Sequence, residues 1–267
     1  MEKLLVKRVV SGILLGTTVF LSTFNYWSSG LMIALFISLG LVEFFSMLEK
    51  RGIYAFKIFG TGVGVLIPLS ILLRFKLTVE VQLLFMIIGL ILLFILQFLR
   101  RSNHQATIGI STTVFGIFYI SWCLSFLVRI RQFASGGYLL LGLIIIVKCA
   151  DSIAYLVGMR WGKSPLITRI SPKKTWEGAV AAFVASIVVS ILCRNFMEFT
   201  LTQALLSGVM IGFLGQLGDL CESLIKRDCG VKDSGGIFPG LGGVLDILDS
   251  IIFVAPAFYL FLKIIHF

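Results

Sequence analysis

The sequence predicts an all-α fold, a polytopic integral membrane protein with about nine transmembrane helices and a cytoplasmic N-terminus. The chain of 267 residues is 58% hydrophobic and only 13% charged, and its mean hydropathy is +1.04. Its apolar residues are grouped in stretches close to the roughly 20 residues that a helix needs to cross hydrocarbon. Its Lys and Arg residues are concentrated in alternate connecting segments, as expected for loops on one side of a membrane. This composition excludes a soluble domain of the same size.

Nine apolar stretches follow one another along the chain, joined by short polar or glycine-containing loops. They cover 9–24, 31–48, 58–74, 81–99, 107–128, 137–158, 178–194, 203–225 and 244–265. Because no internal repeat and no low-complexity linker separates them, we expect a single integral membrane domain over 1–267. Within that domain we distinguish N-terminal membrane spans (1–136) from catalytic membrane spans (137–267), which contain the candidate functional residues.

The distribution of basic residues predicts the orientation. With the N-terminus inside, the inside segments hold 16 Lys and Arg residues and the outside segments hold 6, while Lys148 lies within a span. Such an excess is typical of cytoplasmic loops, so the C-terminus is expected outside. The net charge of +10 therefore reflects orientation and does not indicate nucleic acid. The five cysteines show no paired spacing, which disfavours a zinc site.

Acidic residues lie near the inner ends of three C-terminal spans. In the predicted orientation Asp151 and Asp219 lie about 10 Å below the inner surface, at 1.5 Å per helical residue. Asp246 and Asp249 lie in the first two turns of the last span. A carboxylate in hydrocarbon costs several kcal/mol unless it faces a cavity, a partner or a metal. We therefore expect the four acids to form one shallow layer beneath the cytoplasmic face, the side on which nucleotides are found.

The spacing of these acids suggests a cation site. Asp246 and Asp249 are three residues apart and share a helix face, and like charges this close repel unless a cation lies between them. Carboxylate oxygens suit Mg²⁺, which usually also binds substrate phosphates. On the preceding helix Asp219, Glu222 and Ser223 share a face. The alternative is that the acids only cap a helix or pair with basic neighbours, which are Lys226, Arg227 and Lys232.

A glycine-rich segment, 235–243, leads directly into the last span. Glycines allow backbone N–H groups to approach a phosphate, and a helix N-terminus adds a favourable dipole. Such a loop can equally be a plain turn between helices. Glu43, an isolated acid in the second span, is expected to make a buried hydrogen bond and is assigned no functional role.

The sixth span and the loop after it carry further polar residues. Lys148 and Asp151 belong to one polar stripe of an apolar helix, and a purely structural ion pair between them is an open alternative. In the following loop, 171–178, two adjacent lysines (Lys173 and Lys174) with neighbouring hydroxyls suit a phosphate group. Lysines beside anionic lipid headgroups are an equally open explanation.

The stretch from Ser223 to Asp249 resembles the signature of phosphatidate cytidylyltransferases, also called CDP-diacylglycerol synthases. The matching positions are Ser223, Lys226, Arg227, Lys232, Asp233, Gly235, Phe238, Pro239, Gly242, Gly243, Asp246 and Asp249. Three upstream segments, 151–155, 171–178 and 215–219, also look like that family. The resemblance covers the C-terminal half closely and the N-terminal half only as hydrophobic spans.

The resemblance implies transfer of a cytidylyl group from CTP to phosphatidate, giving CDP-diacylglycerol and pyrophosphate in phospholipid biosynthesis. The implied catalytic residues are Asp219, Lys226, Arg227, Lys232, Asp233, Asp246 and Asp249. The implied substrate-binding residues are Asp151, Ser171, Lys173, Lys174, Thr175, Glu177, Ser223, Gly242 and Gly243. Mg²⁺ is the implied cofactor, with a second cation left open, and its ligands are expected to be Asp219, Asp246 and Asp249.

The resemblance also implies partners and a location. CTP, phosphatidate and membrane lipids are expected, a homodimer is left open, and no nucleic acid is expected. The location is the cell (inner) membrane, with the active site toward the cytoplasm.

Two positions depart from the family pattern: Leu241 replaces a histidine and Ile247 replaces an arginine. Each replacement removes a group that could contact a phosphate. A catalytically impaired or silent homologue is therefore one alternative. A cation-coupled membrane transporter is another, since intramembrane acids can carry ions. The absence of repeat symmetry and the shallow position of the acids argue against transport.

Overall fold

The computed structural model describes residues 2–75, 78–100, 103–238, 240 and 242–265, with side chains described from Val10 onward. Leu241, one of the two departures, lies outside the described residues, as does Pro239. The helices are α1 (Glu2–Thr23), α2 (Tyr26–Lys50), α3 (Lys57–Leu72), α4 (Val79–Phe98), α5 (Ala106–Gly116), α6 (Cys123–Ile130), α7 (Gly136–Trp161), α8 (Trp176–Leu192), α9 (Leu201–Asp228), α10 (Val244–Ile252) and α11 (Val254–Ile265).

Each of the nine predicted stretches coincides with helical structure, although two are not single regular helices. A π-helical segment, Ile117–Trp122, joins α5 to α6 within one continuous helix. The last stretch is interrupted between α10 and α11 at Phe253, three residues before Pro256. Pro256 has no N–H to donate to the carbonyl of Ile252, four residues earlier, and its ring clashes with that carbonyl. The helix α10 therefore ends at Ile252.

The structure supports an all-α, multi-pass membrane protein. Among the described residues, six helical segments are long and apolar enough to cross a membrane. The shorter apolar helices are Val10–Thr23, Lys57–Leu72 and Trp176–Leu192. The count of nine spans, the cytoplasmic N-terminus and the division at residue 136 remain predictions.

A small β-hairpin, which hydropathy does not predict, lies between α7 and α8. Strands β1 (Pro165–Ile167) and β2 (Ser171–Thr175) pair antiparallel, with Ile167 opposite Ser171. The backbone N–H of Trp176 closes the hairpin by donating to the carbonyl of Ser164 at 2.9 Å. The hairpin carries the two adjacent lysines to the start of α8.

A proline inside α3 shows how the N-terminal helices satisfy their backbone within an apolar region. Pro68 cannot donate to the carbonyl of Gly64 four residues earlier. The hydroxyl of Ser121, in the π-helical segment, donates to that carbonyl. Neighbouring helices commonly satisfy such freed groups in membrane proteins, where no water is at hand.

Small residues bring the C-terminal helices close together. Ser186 of α8 donates to the carbonyl of Gly208 in α9 at 2.9 Å, and Ser190 donates to that of Ala204 at 2.7 Å. Further along α9, Gly218 lies so close to the carbonyl of Asp249 in α10 that a Cβ would clash. Close backbone approach through small residues is the usual way to pack helices in lipid. The contact at Gly218 places Asp219 beside the first turns of α10.

The buried core joins the two halves of the chain. It includes Ile37, Leu41 and Phe44 of α2, with Leu245 and Ile252 of α10. Packing of α2 against α10 brings Glu43 to the start of α10. Helix α4, by contrast, lies at the periphery and exposes most of its large apolar side chains, as expected for a helix that faces lipid.

Candidate active site

The start of α10 is held by the side chain of Asp246. Its Oδ2 accepts hydrogen bonds from the N–H of Gly243 at 2.7 Å and from the N–H and hydroxyl of Ser234, both at 2.9 Å. Its Oδ1 accepts from Nζ of Lys226 at 2.6 Å. A carboxylate in the first turn of a helix is also stabilised by the helix dipole. Asp246 therefore ties together the glycine-rich segment, α9 and α10.

Glu43 of α2 binds the same helix start from the opposite half of the chain. Its side chain is buried, and its two oxygens accept from the N–H groups of Val244 at 3.0 Å and Leu245 at 2.9 Å. The hydroxyl of Ser234 donates to Oε2 at 3.0 Å. Gly235 and Gly243 pass so close to this carboxylate that neither has room for a Cβ. The expected buried hydrogen bond is therefore present, and it organises the glycine-rich segment.

The N–H groups that begin α10 are thus already occupied. Those of 243–245 donate to Asp246 and Glu43, and that of Asp246 donates to the hydroxyl of Ser234 at 3.3 Å. The N–H of Gly242, where φ is +97°, donates to the carbonyl of Phe238 at 3.1 Å. Phosphate binding by the N–H groups of Gly242 and Gly243 would require displacing these partners and stays a prediction.

Lys226 is buried between two acids. Besides the bond to Asp246, its ammonium pairs with Glu222 one turn earlier on α9. Glu222 is fully buried, and its Oε1 has no hydrogen-bond partner in the described part of the chain. A buried charge of this kind is stable only when it is paired. Lys226 therefore holds the carboxylates of α9 and α10 together.

Asp219 and Asp249 lie beside each other where α9 crosses α10. The Oδ2 of Asp219 pairs with Nζ of Lys174 from the hairpin at 2.6 Å, and both side chains are partly exposed. Asp249 is buried, and its Oδ1 accepts from the N–H and hydroxyl of Ser250. The charges of Asp219, Glu222 and Asp151 all act on Asp249. Asp249 therefore has Asp219 and Asp151 as neighbours, while the depth of these acids below the cytoplasmic face stays a prediction.

The polar stripe of α7 faces the same layer. Nζ of Lys148 donates to Oδ2 of Asp151 at 3.1 Å and to the carbonyl of Ile247 in α10 at 2.8 Å. The hydroxyl of Ser250 lies 3.2 Å from both oxygens of Asp151. The pair between Lys148 and Asp151 is therefore present, and it is also connected to α10.

Three predicted residues of the hairpin segment have local structural roles. Thr175 caps α8 by accepting from the N–H of Gly178 at 3.2 Å, and Glu177 accepts from the N–H of Ser164 at 3.2 and 3.3 Å. Ser171 pairs in the hairpin opposite Ile167. Lys173 is exposed beside Lys174. These interactions fix the position at which the lysines meet α9.

The remaining predicted residues of α9 and of the loop after it differ in their surroundings, and Ser223 lies beside an acid of the layer. Arg227 donates to the carbonyls of Ile170 at 3.1 Å and Val231 at 3.2 Å, which ties α9 to the hairpin. Lys232 and Asp233 are exposed, and their side chains form no ion pair with a described residue. Ser223 is buried and lies 3.5 Å from Oδ1 of Asp219, a marginal distance for a hydrogen bond.

The donor chemistry of the acid layer is compatible with Mg²⁺ for two of the three expected ligands. Asp219 and Asp249 lie on facing turns of α9 and α10, since Gly218 approaches the carbonyl of Asp249, and both offer carboxylate oxygens. The two oxygens of Asp246 already accept four hydrogen bonds, so it fits less well. Among residues whose placement is described, no three acidic, His or Cys side chains converge closely enough to hold a metal ion. Mg²⁺ commonly uses only one or two carboxylates and takes its remaining ligands from substrate phosphates and water.

Sequence reasoning assigned no functional role to Glu43, Ser234 or Ser250, and it placed Glu222 on the face of Asp219 without identifying a partner for it. Glu43 and Glu222 carried a usable signal, because an acid in an apolar helix is costly and needs a partner. Ser234 and Ser250 carried none, since a serine near an acid is common in any loop or helix. Only the packing of α2 and α9 against α10 identifies their partners.

Comparisons with known proteins show the family to which the chain belongs. A profile described as the cytidylyltransferase family matches residues 6–265. The chain belongs to the cytidylyltransferase family. A phosphatidate cytidylyltransferase of Synechocystis sp. is 34% identical over 273 residues, covering 90% of this chain and 89% of the relative. The chloroplastic phosphatidate cytidylyltransferase 4 of Arabidopsis thaliana is 32% identical over 295 residues, covering 96% of this chain and 73% of the relative.

A phosphatidate cytidylyltransferase of Staphylococcus aureus is 43% identical over 125 residues, covering 46% of this chain and 48% of the relative. The resemblance deduced from 223–249 therefore extends through nearly the whole chain. Membership in the cytidylyltransferase family makes this chain a nucleotidyltransferase, and the transporter alternative is not favoured.

Proposed function

We propose that this cytidylyltransferase-family protein transfers a cytidylyl group from CTP to phosphatidate, giving CDP-diacylglycerol and pyrophosphate. One observation carries the proposal: three lysines from three different elements meet four acids in a single layer between membrane helices. The pairs are Lys148 with Asp151, Lys174 with Asp219, and Lys226 with Glu222 and Asp246. Such a layer can hold polyanions and cations together, as a reaction between a triphosphate and a lipid phosphate requires.

The reaction is a displacement at phosphorus. An oxygen of the phosphatidate phosphate attacks the α-phosphorus of CTP, the bond from that phosphorus to the bridging oxygen breaks, and pyrophosphate leaves with the electron pair. No protein nucleophile is needed. Catalysis then rests on positioning the two phosphates and stabilising the charge that develops in the transition state.

Lysines of the layer are suited to exchange partners when substrate binds. Lys174 is partly exposed, and Asp219 is its one ion-pair partner among the described residues, so an incoming phosphate can replace that carboxylate. Lys226 is buried and pairs with two acids. If a phosphate replaced Asp246 on its ammonium, Lys226 would still be paired with Glu222. We assign Lys174 to the phosphates of CTP and Lys226 to the reacting phosphates. We also assign the exposed lysines Lys173 and Lys232 to the triphosphate, which they would meet from the aqueous side.

Asp219 and Asp249 are proposed to hold Mg²⁺, since partner exchange at Lys174 frees Asp219 as substrate arrives. When bound there, Mg²⁺ would supply neutralisation of the charge that develops on the phosphates. For Asp246 we propose mainly a positioning role, because its four hydrogen bonds fix Lys226, Ser234 and the glycine-rich segment. Whether a second cation is required is determined by measuring turnover as the concentration of Mg²⁺ is varied.

The proposed location rests on the orientation predicted from the distribution of Lys and Arg residues. We propose that the layer lies toward the cytoplasm in the cell (inner) membrane, where CTP reaches it from water and phosphatidate reaches it from the bilayer. A homodimer is the proposed candidate assembly, and mass measurement of the protein in detergent or nanodiscs determines it.

The deciding experiment is turnover by the purified protein with labelled CTP and phosphatidate, with and without Mg²⁺. We expect labelled CDP-diacylglycerol and pyrophosphate in equal amounts, and loss of both when EDTA removes the divalent cation. A folded protein that binds CTP but forms no product under any divalent cation would instead identify a silent homologue. Product formed equally well in EDTA would contradict the assigned role of the acids.

A further inference from the structure

The family signature places an arginine at position 247, and this chain has isoleucine there. A lysine of a different helix approaches the same point. Nζ of Lys148 in α7 donates to the carbonyl of Ile247 at 2.8 Å and to Asp151 at 3.1 Å. A cation in the middle of an apolar spanning helix is costly, so its presence calls for a function or a tight pair.

Contacts between α7 and α10 define which faces meet. Position 247 of α10 is bonded to Lys148, and Ser250 of α10 is bonded to Asp151. Residues three apart on a helix share a face, so the 247/250 face of α10 lies against the 148/151 face of α7. A side chain at 247 and the ammonium of Lys148 therefore compete for the same region.

The surroundings of Lys148 need a positive charge. Besides Asp151, the charges of Asp249 and Asp219 act on it. Three carboxylates and two substrate phosphates in this region would repel one another without a cation of the protein. An ammonium has three N–H donors, and the two observed bonds use two of them. The third remains for a phosphate oxygen.

We propose that Lys148 supplies from α7 the positive charge that the family signature supplies from position 247. The inference rests on the proposed function. It explains how this chain can lose the signature arginine and keep a balanced acid layer. It also distinguishes Lys148 from a purely structural partner of Asp151, because only a charge that acts on the layer can be replaced from α10.

The test is charge relocation in the full-length protein reconstituted in nanodiscs. Lys148→Gln keeps a hydrogen-bond donor near Asp151 and removes the charge. We expect it to lower kcat by at least about tenfold, a conservative figure beside the roughly hundred- to thousandfold that one transition-state contact contributes. Adding Ile247→Arg to that variant is expected to restore kcat to within about threefold of the original protein. Ile247→Arg alone is expected to leave kcat within about threefold of the original protein, because Lys148 already provides the positive charge.

The matched control is Lys57→Gln. Lys57 has a similar pair of contacts, to Glu49 at 3.1 Å and Ser46 at 2.9 Å, but lies at the start of α3 outside the acid layer. It is expected to leave kcat and the KM for CTP unchanged. If Lys148→Gln does not fold, the same comparison is made with Asp151→Asn added, which removes both charges of the pair. Ile247→Arg must then still raise kcat by at least about tenfold in that background.

Two results would overturn the inference while leaving the proposed function intact. One is a folded Lys148→Gln variant whose kcat lies within about twofold of that of the original protein, a difference of less than about 0.5 kcal/mol in activation free energy. The other is failure of Ile247→Arg to restore a folded Lys148→Gln variant although Ile247→Arg alone is active. An original protein without turnover would overturn the proposed function, and this inference with it.

Discussion

The hydroxyl of Ser234 lies 3.0 Å from Oε2 of Glu43, although the two residues are 191 positions apart in the chain. Through this bond and two backbone N–H groups, an acid of the second helix fixes the glycine-rich segment and the start of α10. The same hydroxyl lies 2.9 Å from Asp246, so Ser234 links the N-terminal half to the acid layer through two hydrogen-bond contacts. The N-terminal helices thus help to form the site as well as anchor it in the membrane.

Replacing Glu43 with Gln should weaken both the fold and turnover. The amide offers one acceptor where the carboxylate offers two, so a buried N–H of α10 loses its partner. We expect a loss of about 1–3 kcal/mol in stability and a drop of about tenfold in kcat. Thermal unfolding in detergent and steady-state turnover measure the two effects.

The control for Glu43 is Glu49→Gln on the same helix. Glu49 pairs with Lys57 at 3.1 Å near the surface, and changes at such sites are usually worth less than about 0.5 kcal/mol. Equal effects of the two substitutions on kcat would show that Glu43 does not position the site.

Asp246→Asn should abolish turnover in a protein that still folds and inserts. The asparagine is nearly the same size, but it removes the charge opposite Lys226 and turns an N–H₂ group toward other donors. We expect a loss of at least about a hundredfold in kcat. Turnover is measured at limiting Mg²⁺, with monodispersity in detergent as the check of folding. Rates like those of the original protein would refute the assignment.

Lys174 and Asp219 should behave as coupled partners. If substrate phosphate replaces Asp219 on Lys174, Lys174→Met should lower kcat/KM for CTP by about tenfold to a hundredfold, the value of a charge-assisted hydrogen bond. Lys163→Met, at an exposed lysine of the same loop, should have little effect. A double-mutant cycle with Asp219→Asn measures the coupling, and strict additivity would show that the two act independently.

Gly218→Ala should destabilise the contact between α9 and α10. The added methyl group would meet the carbonyl of Asp249, a backbone atom that cannot move away cheaply. We expect a cost of about 1–3 kcal/mol, typical of overpacking, together with reduced turnover. Gly89→Ala on α4, where nothing lies within 4 Å, is the control and should not lower the melting temperature. Equal melting temperatures for both variants would contradict the observed close approach.

Cysteine probes should confirm the predicted orientation. A probe in the 160–175 segment should react with an impermeant reagent from the cytoplasmic side only, and a probe after Lys263 should react from the outside only. The excess of 16 over 6 basic residues is the reason. The experiment uses a background in which the five natural cysteines are replaced. Labelling of both probes from one side would show that the number of spans differs by one.

The sequence by itself determined the membrane class and the approximate helix positions, and it singled out Asp151, Asp219, Asp246 and Asp249 as candidate acids of the site. Each of these depends on local information: about 20 apolar residues are enough for a span, and a charge within such a run stands out. The signature from 223 to 249 added the family in the same way, since its residues are close in the chain. Its departure at Ile247 was also visible, but not its consequence.

Only the tertiary structure decided which charges meet. Glu43 reaches the start of α10, Lys148 reaches the carbonyl of Ile247, and Lys174 reaches Asp219 across separations of tens to hundreds of residues. These contacts depend on how closely helices approach and cross, which small residues such as Gly218 permit. They depend equally on the position of the β1–β2 hairpin, which determines that Lys174 lies beside Asp219. No periodicity within one helix encodes the position of another, so partners of buried charges emerge only when the helices are packed together.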